Sequence, residues 1–302
     1  MSVIVNPTSL RIRQLECRLT LQSGQFNQGG NVKIVNSNLI TSGVSTINAT
    51  VHTSLSNNFT NSADIIIYGM NESDIAALST LGYAALKFEL NRIELYANYS
   101  DQQKSLCFSG YIVRAWCDFS DPSRPMHFEC QTTYQEALAD VTPTSVKGSI
   151  GVVDLFSKFA SSLGYSLQNN GVSGILNNPI FTGSPIDQLK KLSKQTSTAC
   201  VVDKGVLYIA PLRFSLSNLI LDINSDSGLL SYPTIDSYGV KLRIRYDPTL
   251  RIGQYIKLQT IVPIPKATGQ WYVYDMQSTL SNLHEPWYTD LKCSYTNLAG
   301  PL

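Results

Sequence analysis

Hydrophobic and polar residues alternate from the start of the chain. Leu15, Cys17, Leu19 and Leu21 alternate with polar or charged neighbours, the pattern of a strand with one buried face. A turn at Ser23-Gly24 follows, and residues 32–35 read as a short strand after the Gln28-Gly29-Gly30 turn. Residues 39–51 alternate loosely among Ser and Thr, and residues 57–62 read as a polar loop. The run Ile65-Ile66-Ile67-Tyr68 then stops at Gly69, as a fully buried strand would. Asn71 is placed to cap a short helix with Asp74 answering it, Ile75, Leu78 and Leu81 forming its apolar face and Gly82 ending it. Residues 85–99 read as a long strand broken near Asn91. Residues 106–119 alternate through Phe108, Tyr111 or Ile112, Val113 and Ala115. After the turn Asp121-Pro122-Ser123-Arg124-Pro125, residues 126–132 return as a strand. Strands separated by turns at roughly ten-residue spacing predict a closed barrel or sandwich.

The pattern changes after Asp140. Val141-Thr142-Pro143-Thr144 is linker-like, and Val152, Leu155, Phe156, Phe159, Ala160 and Leu163 then recur at helical spacing up to Gly164. Ser184, Pro185 and Asp187 spell the start of a second helix, with Ile186, Leu189 and Leu192 on its buried face. Asp203-Lys204-Gly205 is a hairpin turn between two apolar runs. Residues 219–223, 240–246, 255–261, 271–280 and 287–295 are again strands, with Pro263 and Pro265 in a loop. The chain is therefore expected to be mainly β with an α+β insert. Two β-barrel or sandwich domains, 1–140 and 214–302, would bracket a small two-helix α+β domain at 141–213. No short-period repeat is evident.

Composition narrows the functional classes. Of 302 residues, 15% are charged and the net charge is +1, so the chain shows neither a nucleic-acid nor a membrane-surface signature. Sparse charge leaves Ser, Thr, Asn and Gln to cover the surface. With sixteen Tyr residues as amphipathic contact groups, that favours a subunit of a tight assembly. No secretory leader or membrane-length apolar run is seen. Cys17, Cys107, Cys117, Cys130, Cys200 and Cys293 lack CxxC spacing, mostly lie in apolar runs, and read as buried thiols of a protein made in a reducing cytoplasm.

Chemistry is hard to find. Gly148 and Gly183 precede Ser residues without completing a GxSxG turn. His52, His127 and His284 lie in separate segments, and no metal-ligand spacing links them to the cysteines. Asp222 to Gly228 begins like a calcium loop but puts its Gly at the seventh position and supplies no Glu at the twelfth. Glu89, Glu94 and Glu129 are among the carboxylates available for glycoside hydrolysis, without a pattern that pairs them. No catalytic, cofactor-binding or metal-binding residue is assigned, no cofactor is expected, and the chain reads as a non-enzyme.

Three segments resemble the baseplate hub proteins of contractile-tailed bacteriophages, in the form about three hundred residues long. They are IIIYGMNESDIAALSTLG; then VVDLFSKFASSLGYSLQNNGV with LNNPIFTGSPIDQLKKLSKQTSTACVVDKGVLYIAPL; then GLLSYPTIDSYGVKLRIRYDPTLRIGQYIKL with GQWYVYDMQSTLSN and EPWYTDLKC. The resemblance as a whole spans roughly residues 10 to 296. The resemblance implies a homotrimer whose paired tail-tube-like barrels make a pseudo-sixfold ring, joining a sixfold tail tube above to a threefold central spike below. It implies a virion protein of the tail baseplate, made in the host bacterial cytoplasm, with tape measure and wedge proteins as further neighbours. Some hubs carry a fused lysozyme or peptidase domain, for which the three parts read here leave no room. The competing readings are a peripheral baseplate or receptor- or glycan-binding virion protein using Trp116, Trp271 and Trp287, and a hydrolase on a β scaffold.

Overall fold

The computed structural model describes residues 12–37, 45–55, 60–79, 90–139, 141–211, 215–217, 219–259, 267–283 and 285–294. The first alternation becomes β1 (Arg13–Thr20), paired antiparallel with β2 (Val32–Asn36). β3 (Ile47–Ser54), β4 (Ser62–Ile67), β5 (Arg92–Tyr99), β6 (Ser105–Cys117) and β7 (Met126–Gln131) follow, in sheet order β3-β4-β7-β6-β5-β1-β2. Inward residues of all seven strands, among them Leu19, Val35, Ile47, Ile65, Leu95, Phe108 and Phe128, share one buried cluster. One sheet can gather all its apolar side chains in one place only by curling around them. Of the strand expected at 39–51, residues 39–44 lie outside the described residues and the described strand runs from Ile47; Ser62 belongs to β4 rather than to the preceding loop.

α1 (Glu72–Leu78) covers this core with Ile75 and Leu78. Asn71 caps it as expected, its Oδ1 accepting from the Asp74 N–H at 2.8 Å. The buried Asp74 carboxylate turns to Lys33 Nζ, 2.6 Å away, tying the helix to β2. The helix ends at Leu78 with the Ser79 N–H on Ile75 O; Leu81, Gly82 and residues 85–89 lie outside the described residues. In β6 the alternation slips between Ile112 and Arg114, where a bulge lets Ile112 and Ala115 both face inward.

α2 (Tyr134–Leu138), which the sequence pattern did not suggest, leads into the middle of the chain. There β8 (Thr144–Ser145), β9 (Ser149–Gly151), α3 (Val152–Ser162), β10 (Ser166–Asn169), β11 (Ile175–Asn177), β12 (Ile180–Phe181), α4 (Pro185–Gln195), β13 (Thr198–Asp203) and β14 (Val206–Pro211) follow. The capping box of α4 is present: Ser184 Oγ accepts from the Asp187 N–H at 3.2 Å and donates to Asp187 Oδ2 at 2.8 Å. Lys204 and Gly205 turn the β13–β14 hairpin at positive φ. Leu155, Phe156, Leu189, Leu192, Val202 and Leu207 lie in a second buried cluster. The Asn61 amide donates to Val202 O at 2.9 Å and the Tyr165 hydroxyl to Glu136 at 2.7 Å, fastening this region to the first group of strands.

The last strands are β15 (Ile220–Ile223), β16 (Thr234–Ile235), β17 (Gly239–Arg245), β18 (Tyr255–Leu258), β19 (Gly269–Ser281) and β20 (Trp287–Ser294). Trp271, Leu242, Ile256, Val273 and Leu291 are buried in a third cluster. At the start of β17 the backbone passes so close to β20 that a Cβ on Gly239 would lie 2.1 Å from Cys293 O, at a φ of +156°. Only glycine fits there.

The two groups of strands repeat one topology. β16-β17-β20-β19-β18-β15 runs in the same relative chain order as β3-β4-β7-β6-β5-β1. Corresponding pairs are all antiparallel except β15–β18, which is parallel where β1–β5 is antiparallel. β6 and β19 each have thirteen residues. Each bulges just beyond a tyrosine: Tyr111 before the Ile112/Arg114 slip, and Tyr272 before the Val273/Asp275 slip. Buried Cys130 and Cys293 oppose Ile112 and Val273 in the two copies. Buried Asn91 and Gln254 accept the Ile112 and Val273 N–H groups at 2.8 and 3.0 Å through their backbone carbonyls.

The repeats are joined by β3 and β19, which pair antiparallel from Asn48↔Ser281 to Ser54↔Asp275. The join also crosses the cores. Tyr246, Leu280 and Trp287 of the second repeat are buried in the first cluster, and Leu55 packs on the third. Trp287 is the largest of these stitches, its ring 5.7 Å from Tyr99 and 5.6 Å from Tyr246. Trp287→Ala is therefore expected to cost about 3–5 kcal/mol in urea unfolding, the cost of emptying a large aromatic site; a loss under about 1 kcal/mol would show that the stitch is dispensable.

Candidate assembly surface

The residues weighed for chemistry are scattered by the fold and held in structural contacts. His127 lies on β7 with its ring stacked on Trp116, centroids 5.0 Å apart and planes 7° from parallel. Arg114 covers the other side of that stack, 4.4 Å from the Trp116 centroid, and forms an ion pair with Glu129. Glu94 accepts from the Tyr96 hydroxyl at 2.9 Å and faces Arg18 at 3.7 Å. Glu89 and His284 lie outside the described residues. The calcium-like loop is an Asx turn: Asn224 Oδ1 accepts from the Asp226 and Ser227 N–H groups at 2.9 and 2.7 Å, and Ser227 Oγ donates to Asp222 O at 2.9 Å. Gly29 and Gly30 form the expected tight turn at positive φ.

Trp271 and Trp287 are core residues, and Trp271 donates its indole N–H to Ala267 O at 2.7 Å. Trp116 alone of the three is half-buried on the outer face. All six cysteines are free. Cys17, Cys130, Cys200 and Cys293 are buried as expected, and burial raises the Cys200 thiol to about 12, well away from reactivity. Cys107 and Cys117 are only half-buried. A cleft of about 460 Å³ between the β13–β14 hairpin and the loop before β18 contains one acid, Asp203, paired with Arg251 at 3.1 Å. Among the described residues no group of three or more His, Cys, Asp and Glu gathers to hold a metal ion.

The surface has a clear organisation. The outer face of the joined sheet is a polar ladder. One cross-strand row reads Arg243, Asp290, Gln277, His52, Ser62, Gln131, Tyr111, Arg92 and Thr20. Arg243 binds Asp290 through both carboxylate oxygens, at 2.7 and 2.9 Å. His52 reaches diagonally across the β3–β19 joint to Asp275, Nε2 to Oδ2 at 3.0 Å, and Lys292 holds the other oxygen at 3.2 Å. Exposed apolar groups lie at the sheet's ends instead. Val32 and Ile34 share the outer face of β2, and Leu219, Ile220, Leu230, Tyr232, Ile235 and Tyr238 crowd the segment around β15 and β16. Large aromatic and aliphatic groups left at sheet ends mark surfaces that meet other proteins.

Comparison with known proteins agrees with this organisation. The model of the family described as baseplate hub gp41 matches residues 45–293. The chain belongs to the baseplate hub gp41 family. Membership gives it a structural role in a bacteriophage tail baseplate, and makes it a component of the virion tail. No curated protein matches the sequence significantly. Among solved structures, a tail protein from Neisseria meningitidis MC58 is similar at 10% identity and a TM-score of 0.57, covering 93% of this chain and 96% of its own. The 43 kDa tail protein of prophage MuSo2 from Shewanella oneidensis is similar at 9% identity and a TM-score of 0.59, with 94% and 97% covered. The E. coli c3393 protein is a type VI secretion component with structural similarity to the T4 tail proteins gp27 and gp5. It matches at 8% identity and a TM-score of 0.54, covering 91% of this chain and 76% of that one. At such identities the likeness is one of fold. The hub fold shared with phage tail proteins is thus mainly β, with the smaller α+β region in the middle.

The Asp275 cluster gives the joint a pH dependence. Burial alone would raise its carboxyl, but the His52 hydrogen bond and charge and the Lys292 charge outweigh it and hold the pKa below the ordinary 3.8. The unfolded chain then binds the proton more readily than the folded one, so the contribution is full above pH ~4 and is lost as pH falls through the folded value. Asp275→Asn is expected to cost about 1.5–3 kcal/mol at pH 7 and less as the pH approaches 3. Thermal unfolding across that range checks it; a pH-independent difference would show that the charge is not what the joint uses.

Proposed function

We propose that this chain is the hub subunit that joins the tail tube to the central spike. Three copies would close into a ring of six repeats, with a sixfold tube above and the threefold spike below. The observation that carries this reading is the internal repeat: a chain with two topologically alike β units lets a trimer present six similar units, as a symmetry adaptor requires. The division into 1–140, 141–213 and 214–302 belongs to the same reading, the middle part standing at the periphery. It is supported by the three buried clusters, each drawn mainly from one of these spans.

The tube, the spike and neighbouring copies are the partners, with tape measure and wedge proteins beyond them, and synthesis takes place in the host cytoplasm. The chain acts by shape, without catalysis. The family and the structural neighbours are tail proteins, and the described residues among those weighed as catalytic, His52, His127, Glu94 and Glu129, are held in ion pairs and a ring stack.

A cryo-EM reconstruction of the parent particle is expected to place three copies on the tail axis between tube and spike; copies off the axis would overturn the adaptor reading. Purified protein is expected to leave cell-wall preparations intact. Clearing that disappears on mutating a single acidic residue would overturn the non-enzymatic part.

A further inference from the structure

The internal repeat identifies how one copy meets the next. This inference rests on the ring reading and deepens it. Within the chain, β3 of the first repeat docks on the second half of β19. By sheet order, β16 is the counterpart of β3 and β6 the counterpart of β19. We infer that β16 of one copy docks on the Arg114–Cys117 arm of β6 in a neighbouring copy, repeating between chains the joint that β3 and β19 make within one.

The register fixes the contacts. The row Val51-Ala63-Cys130-Ile112 of the first repeat corresponds to Ile235-Val240-Cys293-Val273 of the second. Counting past the two equivalent bulges, Arg114 takes the place of Asp275, Trp116 that of Gln277 and Cys117 that of Ser278. Val51 opposes Ser278 inside the chain and His52 opposes Gln277. Between chains, Ile235 therefore opposes Cys117, and Asp236 opposes Trp116.

Three observations fit this occupant. Leu230, Tyr232, Ile235 and Tyr238 leave the β16 segment apolar and exposed, and Phe119, just past the receiving arm, is 67% exposed. The charges are complementary and inverted: His52 meets Asp275 inside the chain, whereas Asp236 would meet Arg114 between chains, the acid and the base having changed sides. The same inversion runs along the neighbouring row. Thr50, Asp64, Glu129 and Arg114 stand where Thr234, Lys241, Lys292 and Asp275 stand in the other repeat. Finally, the contact is heterologous, one surface against a different one, which is the kind that closes rings.

Opposed residues of an antiparallel pair lie about 4.5–5.5 Å apart at Cα, within reach of a disulfide. Particles carrying Ile235→Cys are therefore expected, after mild oxidation, to yield subunit dimers and trimers on a non-reducing gel. Mass spectrometry should find position 235 bonded to Cys117, and Cys117→Ser should abolish the product. A variant set with Val32→Cys, Ile235→Cys and Cys117→Ser tests the other closure, through the β2 end of the sheet. A bond there, or no bond at position 235 in copies that cryo-EM shows on the axis, overturns the proposed joint and leaves the ring intact. Copies found off the axis overturn the ring reading and this joint with it.

Discussion

The antiparallel ladder between β3 and β19 is the constraint on which the rest of the molecule depends. Each repeat is a curled sheet, and a curled sheet that does not close on itself leaves strand edges whose backbone groups need partners. Pairing β3 with β19 satisfies two of those edges together and fixes the register at which the repeats meet. The bulge at Val273/Asp275, in the pairing of β19 with β20, lies where the opposite edge of β19 changes partner. β19 pairs with β18 over Gly269–Tyr272 and with β3 from Asp275 onward, so one edge serves two partners in succession. Tyr246, Leu280 and Trp287 then pack into the other repeat's core, making the ladder part of one hydrophobic unit.

The middle region is held by a different means. It shares apolar contacts with the second repeat, Val201 and Ala210 entering the third cluster. Its orientation, though, is set by polar anchors: the Asn61 amide on Val202 O, the Glu136–Tyr165 bond and the Asp203–Arg251 pair. Lys204 sits at this junction, and burial holds its ammonium below the usual lysine range despite the nearby Asp203 charge. Burying such groups costs free energy that only directed partners offset, so these contacts specify an orientation more than they add stability.

Much of this was legible in the sequence. Period-two alternation located β1 and β6, the β-branched run Ile65-Ile66-Ile67 located β4, and the caps at Asn71 and Ser184 located both α1 and α4, because those signals are local. What lay between the lines was non-local. β16 has two residues, too few to show a period. β10 pairs parallel with β14 across a helix and a hairpin, which alternation does not encode. α2 is a five-residue helix, too short to show an apolar period, and its Thr133 hydroxyl bonds Thr60 at 2.7 Å instead of capping the helix. The bulge in β6 blurred the choice between Tyr111 and Ile112, since an inserted residue breaks the period that would decide it. His52 and Asp275 are 223 residues apart, and only the ladder brings them together. The repeat itself was invisible because matching positions keep burial, not identity: Ile65 answers Leu242, and Phe128 answers Leu291.

Where identity changes in the repeat, the change follows a rule. Along the row next to the joint, Asp64 and Glu129 are replaced by Lys241 and Lys292, and Arg114 by Asp275. Each repeat keeps its own cross-strand ion pair, Arg114 with Glu129 and Asp275 with Lys292. The net sign of the surface near the joint is nevertheless opposite in the two repeats. Two alike units fused in one chain face a hazard: each first repeat could meet another first repeat as readily as a second. Opposite signs remove that degeneracy, because like rows would set acids against acids and bases against bases, a mismatch worth several kcal/mol across a desolvated contact. A first repeat then prefers a second, and an alternating ring is the arrangement in which every repeat has the neighbour its charges favour.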